Sequence, residues 1–165
     1  RNILYTAQLG LDHPIAIRYP RGRGVVVDWK QPYAKIAVGK ARQLRKGERV
    51  AVLSTGFIGN NVADALNNVT NADFSHYDFG FIKPLDAEML ERILRSYERI
   101  ITVEDGTVKG GFGSAVAEFA MEINVRTDIR ILGIPDEFIQ HGSILELQRF
   151  SDLDVKSLEI IFSNY

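Results

Sequence analysis

The chain has 165 residues, enough for one domain with a hydrophobic core, and its 45% hydrophobic and 25% charged residues are ordinary for a globular protein. A formal net charge of -1 argues against nucleic acids and acidic membrane surfaces as the main partners. The absence of cysteine excludes disulfides, thiolate metal sites and cysteine nucleophiles, and no apolar run approaches the roughly 18 residues that cross a bilayer.

Residues 1–32 form a short head with a pattern of its own. Residues 3–10 are typical of a helix that stops at Gly10, and residues 14–19 are typical of a strand that ends before a proline. One helix end and one strand cannot bury a core, so we interpret the head as the tail of a preceding domain plus a linker. Arg1 is then an internal position of a longer protein. Without that domain, we expect residues 1–24 to be disordered or packed against another copy.

Residues 33–165 alternate between strand and helix patterns. The strands are predicted at 36–42, 50–54, 73–79, 99–104 and 128–134. The helices are predicted at 55–68, 86–97, 113–122, 143–150 and 154–162, with Asp86 as the N-cap of the second. Such alternation indicates a largely parallel sheet with helices on both faces.

Two features of this part could carry chemistry at the carboxyl end of a buried strand. Glu104 and Asp105 follow an apolar run, where open α/β sheets bind ligands, but they could equally form a turn or an ion pair. The glycine-rich loop at 110–113 opens a helix, as a phosphate site would, but the dinucleotide fingerprint fails because its third glycine falls on Val116. Close packing of the helix is the interpretation of that loop that the residues favour.

The histidines offer no metal site from their spacing. His13, His76 and His141 lie far apart in the sequence, and no cysteine is available to complete a ligand set. The basic turn Arg18 to Gly24 is the better candidate, because proline and glycine give a stiff turn from which arginines can grip a phosphate. A solvated basic linker is the alternative interpretation of this turn.

Four segments in order carry a family resemblance. They are PIAIRYPRG at 14–22, FIKPLD at 81–86, VEDGTVKGGFGS at 103–114 and LGIPDEFIQHG at 132–142. Together they resemble the C-terminal portion of the 1-deoxy-D-xylulose-5-phosphate synthases, within the transketolase family. Residues 104–106 read EDG where family members commonly have EEN, which leaves transketolases and 2-oxo acid dehydrogenase beta subunits as rival subfamilies.

The resemblance implies a three-layer α/β/α fold with a mixed, mostly parallel five-stranded sheet whose first strand is antiparallel. It places residues 1–32 at the end of a pyrimidine-binding domain and residues 33–165 in the transketolase C-terminal domain. It implies a reaction of pyruvate with glyceraldehyde 3-phosphate that yields 1-deoxy-D-xylulose 5-phosphate and carbon dioxide. The product would feed isoprenoid, thiamine and pyridoxal synthesis.

The resemblance also implies thiamine diphosphate and Mg²⁺ as cofactors. The family motifs that hold and activate the cofactor are absent from this chain and should lie upstream of Arg1. Arg21 matches the family position that binds the phosphate of the aldehyde acceptor, while Arg18 is read as a supporting residue. We expect a cytoplasmic homodimer, or a plastid one in a plant, with no nucleic-acid or membrane partner. The isolated chain is expected to be inactive and to act as a non-catalytic assembly module.

Overall fold

The computed structural model describes residues 1–20, 30–70 and 73–165. These residues form two compact units, Arg1–Val38 and Gly39–Tyr165. The second unit contains the whole sheet. No helix in the described part of the chain is both long and apolar enough to cross a membrane.

The described residues of the first unit form helix α1, Asn2–Gln8, and otherwise have no helix or strand. The helix stops as the sequence predicts, with Gly10 at a positive φ of 91°. Thr6 is buried, and its Oγ1 accepts a hydrogen bond of 3.0 Å from the backbone N–H of Ile36. The ring of Tyr5 stacks on that of Tyr33 at a centroid distance of 5.3 Å. Among the described residues of this unit only Thr6 is buried, which is too little for a core.

The strand predicted at residues 14–19 is wrong. These residues have no regular secondary structure, and no described residue before Arg42 belongs to the sheet. An apolar run becomes a strand only when a second strand satisfies its backbone groups, and none of the described residues offers a partner here. The expectation that residues 1–24 are disordered or packed against another copy stays a prediction.

The second unit contains a mixed sheet in the spatial order β1-β3-β2-β4-β5. Its strands are β1 Arg42–Arg45, β2 Val50–Thr55, β3 Phe74–Asp78, β4 Arg99–Thr107 and β5 Asp128–Ile134. β2 pairs in parallel with both β3 and β4, and β4 pairs in parallel with β5. Only β1 is antiparallel, against β3, within the described sheet. The predicted mixed five-stranded sheet with an antiparallel first strand is confirmed.

The helices of the second unit follow the predicted order. They are α2 Gly59–Asn68, preceded by the 3-10 turn Gly56–Ile58, then α3 Ala87–Ser96, α4 Phe112–Glu122, α5 Ile144–Phe150 and α6 Val155–Phe162. Asp86 is the N-cap of α3, as predicted, with its side chain accepting from the backbone N–H of Met89. Ser143 and Glu146 form a capping box at the start of α5.

Two apolar layers enclose the sheet, one on each face. Val50 and Val52 of β2 point toward α2 and α6, while Ala51 and Leu53 point toward α3 and α4. This alternation explains why β2 reads as an unbroken apolar run, since both of its faces are buried. The three-layer α/β/α arrangement is therefore confirmed.

The first strand of the sheet begins later than the sequence predicts. The prediction placed it at 36–42, but the chain turns at Val38 and Gly39, and β1 starts at Arg42. Gly39 adopts a φ of 71°, and a Cβ there would lie 2.9 Å from Pro84 Cγ. The apolar pattern before this turn resembles a strand, but the close approach to Pro84 requires a glycine turn instead.

Candidate functional site

The arginine turn is the site that the sequence ranks first. The structure describes it only as far as Pro20, as an exposed segment in which the Tyr19 side chain is 80% accessible. Arg21 and Arg23 lie outside the described residues. The phosphate-binding role of Arg21 therefore stays a prediction.

The carboxyl edge of the sheet, where β2 to β5 end, is the second candidate. The chain leaves β2 for α2 on one face and leaves the neighbouring β4 for α4 on the other face. Adjacent strands whose connections diverge in this way create the crevice in which open α/β sheets bind ligands. Thr55 and Glu104 are register partners at this point, so they lie side by side at the crevice.

Glu104 occupies the centre of this crevice and is only 3% exposed. Its Oε2 accepts a hydrogen bond of 2.9 Å from the backbone N–H of Phe112, and its Oε1 accepts one of 2.8 Å from that of Gly113. These two groups begin α4, where the helix dipole favours a negative charge. Glu104, which lies in β4 eight residues before Phe112, thus caps the N-terminus of α4.

The glycines of the 106–113 region make room for this contact. A Cβ at Gly111 would lie 2.3 Å from Glu104 Oε2, and one at Gly106 would lie 2.8 Å from the same atom. A Cβ at Gly113 would lie 2.5 Å from both Ile131 Cγ2 and Thr102 Oγ1. Contacts this short cannot be accommodated without moving the helix away from the sheet. The glycines therefore serve close packing of the carboxylate and of α4.

This geometry argues against the nucleotide interpretation of the 110–113 loop. A phosphate at the start of α4 would need the backbone donors of Phe112 and Gly113, and Glu104 already takes both. A phosphate would also face the charge of that buried carboxylate. Glu104 lies where the phosphate would have to bind, so the loop carries no anion site.

Asp86 lies in the FIKPLD segment and joins two parts of the second unit. One carboxylate oxygen accepts from the backbone N–H of Ala41 at 2.9 Å, and the other accepts from that of Met89 at 3.1 Å. Lys40 Nζ lies 3.4 Å away and also contacts Glu88. Burial opposes the charge of Asp86, but these donors together hold the pKa of its carboxyl below the ordinary value.

Replacing Asp86 with alanine is expected to lower the free energy of unfolding by about 2 kcal/mol, because both the cap of α3 and the anchor of Ala41 are lost. Urea titration of the chain, followed by circular dichroism, measures this. Glu88→Ala is the matched control. It removes an exposed partner of the same Lys40, and exposed ion pairs contribute little. Equal losses in the two variants would contradict the role of Asp86.

The three histidines differ in burial. His13 and His141 are exposed, whereas His76 is buried within β3 at 1% exposure. A hydrogen bond of 2.8 Å joins His76 Nε2 to Ser54 Oγ on the neighbouring strand. Burial lowers the pKa of this imidazole to about 4, with Asp78 raising it and Arg45 lowering it further. His76 is therefore a neutral core residue.

A family comparison agrees with this fold. The sequence profile of the family described as "Transketolase, C-terminal domain" matches residues 39–158. The chain belongs to the transketolase family. Its second unit begins at Gly39, the first residue of that match.

Related sequences show which enzymes of the transketolase family this chain resembles. The 1-deoxy-D-xylulose-5-phosphate synthase of Bacteroides thetaiotaomicron is 45% identical over 161 residues, which cover 96% of this chain and 25% of that protein. The synthase of Parabacteroides distasonis is 45% identical over 160 residues, with the same two coverages. The predicted resemblance is confirmed, and the chain corresponds to the C-terminal portion of these enzymes. It spans about a quarter of their length.

Solved structures support the fold alone. A split-gene transketolase in an inactive beta4 tetramer matches with a TM-score of 0.72 at 23% identity, over 84% of this chain and 46% of that one. The transketolase of Campylobacter jejuni matches with a TM-score of 0.55 at 16% identity, over 77% of this chain and 19% of that one. Both place the transketolase-family chain in the same architecture.

Two buried polar contacts of this domain were not predicted from the sequence. The pairing of Glu104 with the start of α4 depends on the fold of the 105–111 loop, and the Ser54–His76 contact depends on strand register. A signal for the first did exist. A buried-strand carboxylate followed by several glycines and a helix start is the pattern expected of a distant helix cap.

Proposed function

We propose that this chain is the C-terminal part of a synthase that condenses pyruvate with glyceraldehyde 3-phosphate to give 1-deoxy-D-xylulose 5-phosphate and carbon dioxide. The similarity over 96% of the chain to enzymes named for that product carries the proposal. We propose that residues 1–32 are the tail of a pyrimidine-binding domain and that residues 33–165 are the C-terminal domain. By analogy with the bacterial relatives, we propose a cytoplasmic location.

Thiamine diphosphate and Mg²⁺ belong to the proposed parent and not to this domain. Among the described residues, no group of three or more histidine, aspartate or glutamate side chains could hold a metal ion. Both carboxylate oxygens of Glu104, the buried acid at the carboxyl edge, already accept hydrogen bonds from the backbone of α4. The described residues do not fit a metal-diphosphate site, so no step of the reaction is assigned to them.

Arg21 is the residue of this chain that we propose to touch substrate. A planar guanidinium can form two parallel hydrogen bonds to a phosphate, and Pro20 before it restricts the direction in which the chain leaves the turn. In this role Arg21 binds the phosphate of glyceraldehyde 3-phosphate and has no contact with pyruvate. The contribution of Arg21 should therefore depend on the acceptor.

In the full-length parent, Arg21→Ala is expected to lower kcat/KM for glyceraldehyde 3-phosphate tenfold to a hundredfold, since a charge-assisted hydrogen bond contributes roughly 1.5–3 kcal/mol. Unphosphorylated glyceraldehyde provides the internal comparison, because the variant and the native enzyme should use it equally. Arg126→Ala is the control, because it removes an exposed arginine outside the basic turn and should keep the native efficiency. Steady-state kinetics with both acceptors at saturating pyruvate measure the difference.

Three outcomes would contradict these assignments separately. An equal loss with both acceptors would remove the phosphate role from Arg21 while leaving the reaction in place. Absence of turnover with pyruvate, together with transfer from a ketose phosphate, would assign the parent to the transketolases. Pyruvate decarboxylation without any aldehyde acceptor product would favour a 2-oxo acid dehydrogenase beta subunit.

We further propose that the chain by itself is an inactive assembly module that forms a homodimer. Two observations favour this: the described residues include no group of three or more acidic or histidine side chains that could hold a metal ion, and a similarly folded split-gene transketolase is an inactive beta4 tetramer. Analytical ultracentrifugation of the isolated chain should give a dimer, and the synthase assay should give no product. Turnover by the isolated chain would overturn the proposal.

A further inference from the structure

A cleft of about 430 Å³ opens between helix α2 and the edge strand β1, and we call it the β1–α2 cleft. This volume lies within the range of roughly 300–1,000 Å³ that is usual for small-molecule sites. Its lining combines apolar, basic, amide and imidazole side chains, and none of the lining residues is acidic. The residues that bear on its chemistry are Leu44 and Arg45 of β1, Ala63 and Asn67 of α2, and Val69 and His76.

A bulge in β1 directs two consecutive side chains into this cleft. Gln43 pairs with Tyr77 and Arg45 pairs with His76, so Leu44 is an extra residue without a register partner in β3. Side chains of a regular strand alternate between the two faces of a sheet, but a bulge interrupts the alternation. Leu44 and Arg45 therefore both line the cleft, and bulges at sheet edges often re-aim side chains in this way beside functional sites.

His76 forms the floor of the cleft and keeps one ring nitrogen for a ligand. The residue is 1% exposed, and its Nε2 lies 2.8 Å from Ser54 Oγ. Nδ1 has no hydrogen-bond partner among the described residues, where Thr102 Oγ1 is the only polar side-chain atom that is both sealed from solvent and unpartnered. Nδ1 therefore borders the cleft. When the Ser54 hydroxyl donates to Nε2, Nδ1 carries the proton of the neutral ring and donates into the cleft.

Arg45 supplies a positive charge beside this donor. Arg45 and His76 are register partners, so the two residues lie next to each other on neighbouring strands. Arg45 Nη1 donates to the backbone carbonyl of Leu66 in the last turn of α2, which holds the guanidinium over the cleft. A guanidinium has five N–H donors, so most of them stay available to an anion. The nearby acid Asp78 is already ion-paired to Arg42.

We propose that the β1–α2 cleft binds a small organic monocarboxylate with a short apolar tail. The carboxylate accepts hydrogen bonds from His76 Nδ1 and from the Arg45 guanidinium, while the tail contacts Leu44 and Val69. A buried donor and a fixed cation at one end, with apolar side chains at the other, match a ligand of this kind. The site does not depend on the proposed synthase activity, because Arg21 is not among the residues that form it.

Titration of the chain with isovalerate, followed by NMR of isotope-labelled histidine, tests the site. The ring nitrogens of His76 should shift with a dissociation constant on the order of 1 mM, as expected for so small a ligand. His13 and His141 do not line the cleft and should stay unshifted, which makes them internal controls. Isovaleramide has the same shape without the charge and should bind roughly tenfold more weakly. No shift of His76 at tens of millimolar isovalerate, or equal affinity for the two probes, would overturn the proposal.

Two variants of Leu44 locate the ligand. This side chain is exposed on an edge strand, where charged residues are readily accommodated. Leu44→Glu and Leu44→Lys remove the same apolar contact, but the glutamate repels a carboxylate and the lysine attracts it. The affinity for isovalerate should therefore be roughly tenfold or more higher in the lysine variant. Equal affinities of these two variants would overturn the location.

Substitution of Arg45 tests the cation. Arg45→Gln can still donate to the Leu66 carbonyl but loses the charge, and it should weaken isovalerate binding roughly tenfold. Arg95→Gln is the matched control, because Arg95 is exposed on α3, which covers the other face of the sheet, and the affinity should stay unchanged. Circular dichroism of each variant verifies that the fold is kept. Native affinity in a folded Arg45→Gln variant would overturn the proposal.

Discussion

Replacing Glu104 with glutamine is expected to lower the free energy of unfolding by about 3 kcal/mol, although the side chain keeps its size. The carboxylate accepts two backbone hydrogen bonds at the start of α4 while buried. An amide offers one oxygen, and its NH₂ group would point at the other backbone N–H. One buried donor therefore loses its partner, and the helix dipole loses its compensating charge.

Thermal unfolding of the chain measures this effect directly. For a protein of this size, the midpoint should fall by roughly 6–12 °C. Glu118→Gln is the matched control, because it removes one carboxylate from an exposed position on the same helix. Its midpoint should stay within about 1 °C of the native value, as is usual for surface substitutions. A Glu104 variant as stable as this control would show that the cap is dispensable.

The same experiment separates two interpretations of the glycine-rich loop. If Glu104 stabilises α4, its substitution lowers stability in the absence of any ligand. If the loop were instead an anion site that Glu104 obstructs, removing the charge would allow phosphate to bind and to raise the midpoint. Adding inorganic phosphate to the Glu104→Gln variant should leave its midpoint unchanged, because the glutamine still occupies the space in front of the backbone N–H groups of Phe112 and Gly113.

The elements predicted correctly are those whose causes are local or periodic. β2 and β4 have continuous apolar runs because both faces of each strand are covered. α3 begins where Asp86 can cap it, and α5 begins at the capping box of Ser143. Each of these signals lies within a few residues of the element that it fixes.

The errors fall where a distant part of the chain decides the outcome. Residues 14–19 have the composition of a strand, but a strand exists only with a partner. The turn at Gly39 is fixed by its contact with Pro84, which lies 45 positions later in the sequence. Composition and periodicity describe neighbours in sequence, so neither could indicate these contacts.

The two candidate sites also differ in whether neighbouring residues or distant contacts decide their role. The basic turn at Arg21 was proposed because proline, glycine and arginine lie together in the sequence, and its role stays a prediction. The role of Glu104 was open, because a strand-end carboxylate can serve catalysis, an ion pair or a cap, and only the loop geometry distinguishes them. The structure assigns it to the cap, which makes the carboxyl edge of this domain a packed surface.

The chain is expected to lose about 3 kcal/mol of stability between pH 6.5 and pH 4 through His76 alone, because each unit of pKa shift corresponds to about 1.4 kcal/mol. Burial lowers the pKa of this imidazole from 6.5 to about 4. Between those values the unfolded chain binds a proton at His76 and the folded chain does not, so acid favours unfolding. The contribution of His76 is complete above pH 6.5 and changes no further below pH 4.

Urea unfolding at a series of pH values, compared between the native chain and His76→Gln, isolates this effect from the carboxylates. The glutamine keeps a polar group opposite Ser54 but does not titrate. Over the same pH range, the free energy of unfolding of the variant should therefore fall by about 3 kcal/mol less than that of the native chain. His141→Gln is the matched control, because that imidazole is exposed, and its curve should run parallel to the native one. Parallel curves for the native chain and His76→Gln would mean that His76 accepts its proton in the folded state as readily as in the unfolded state.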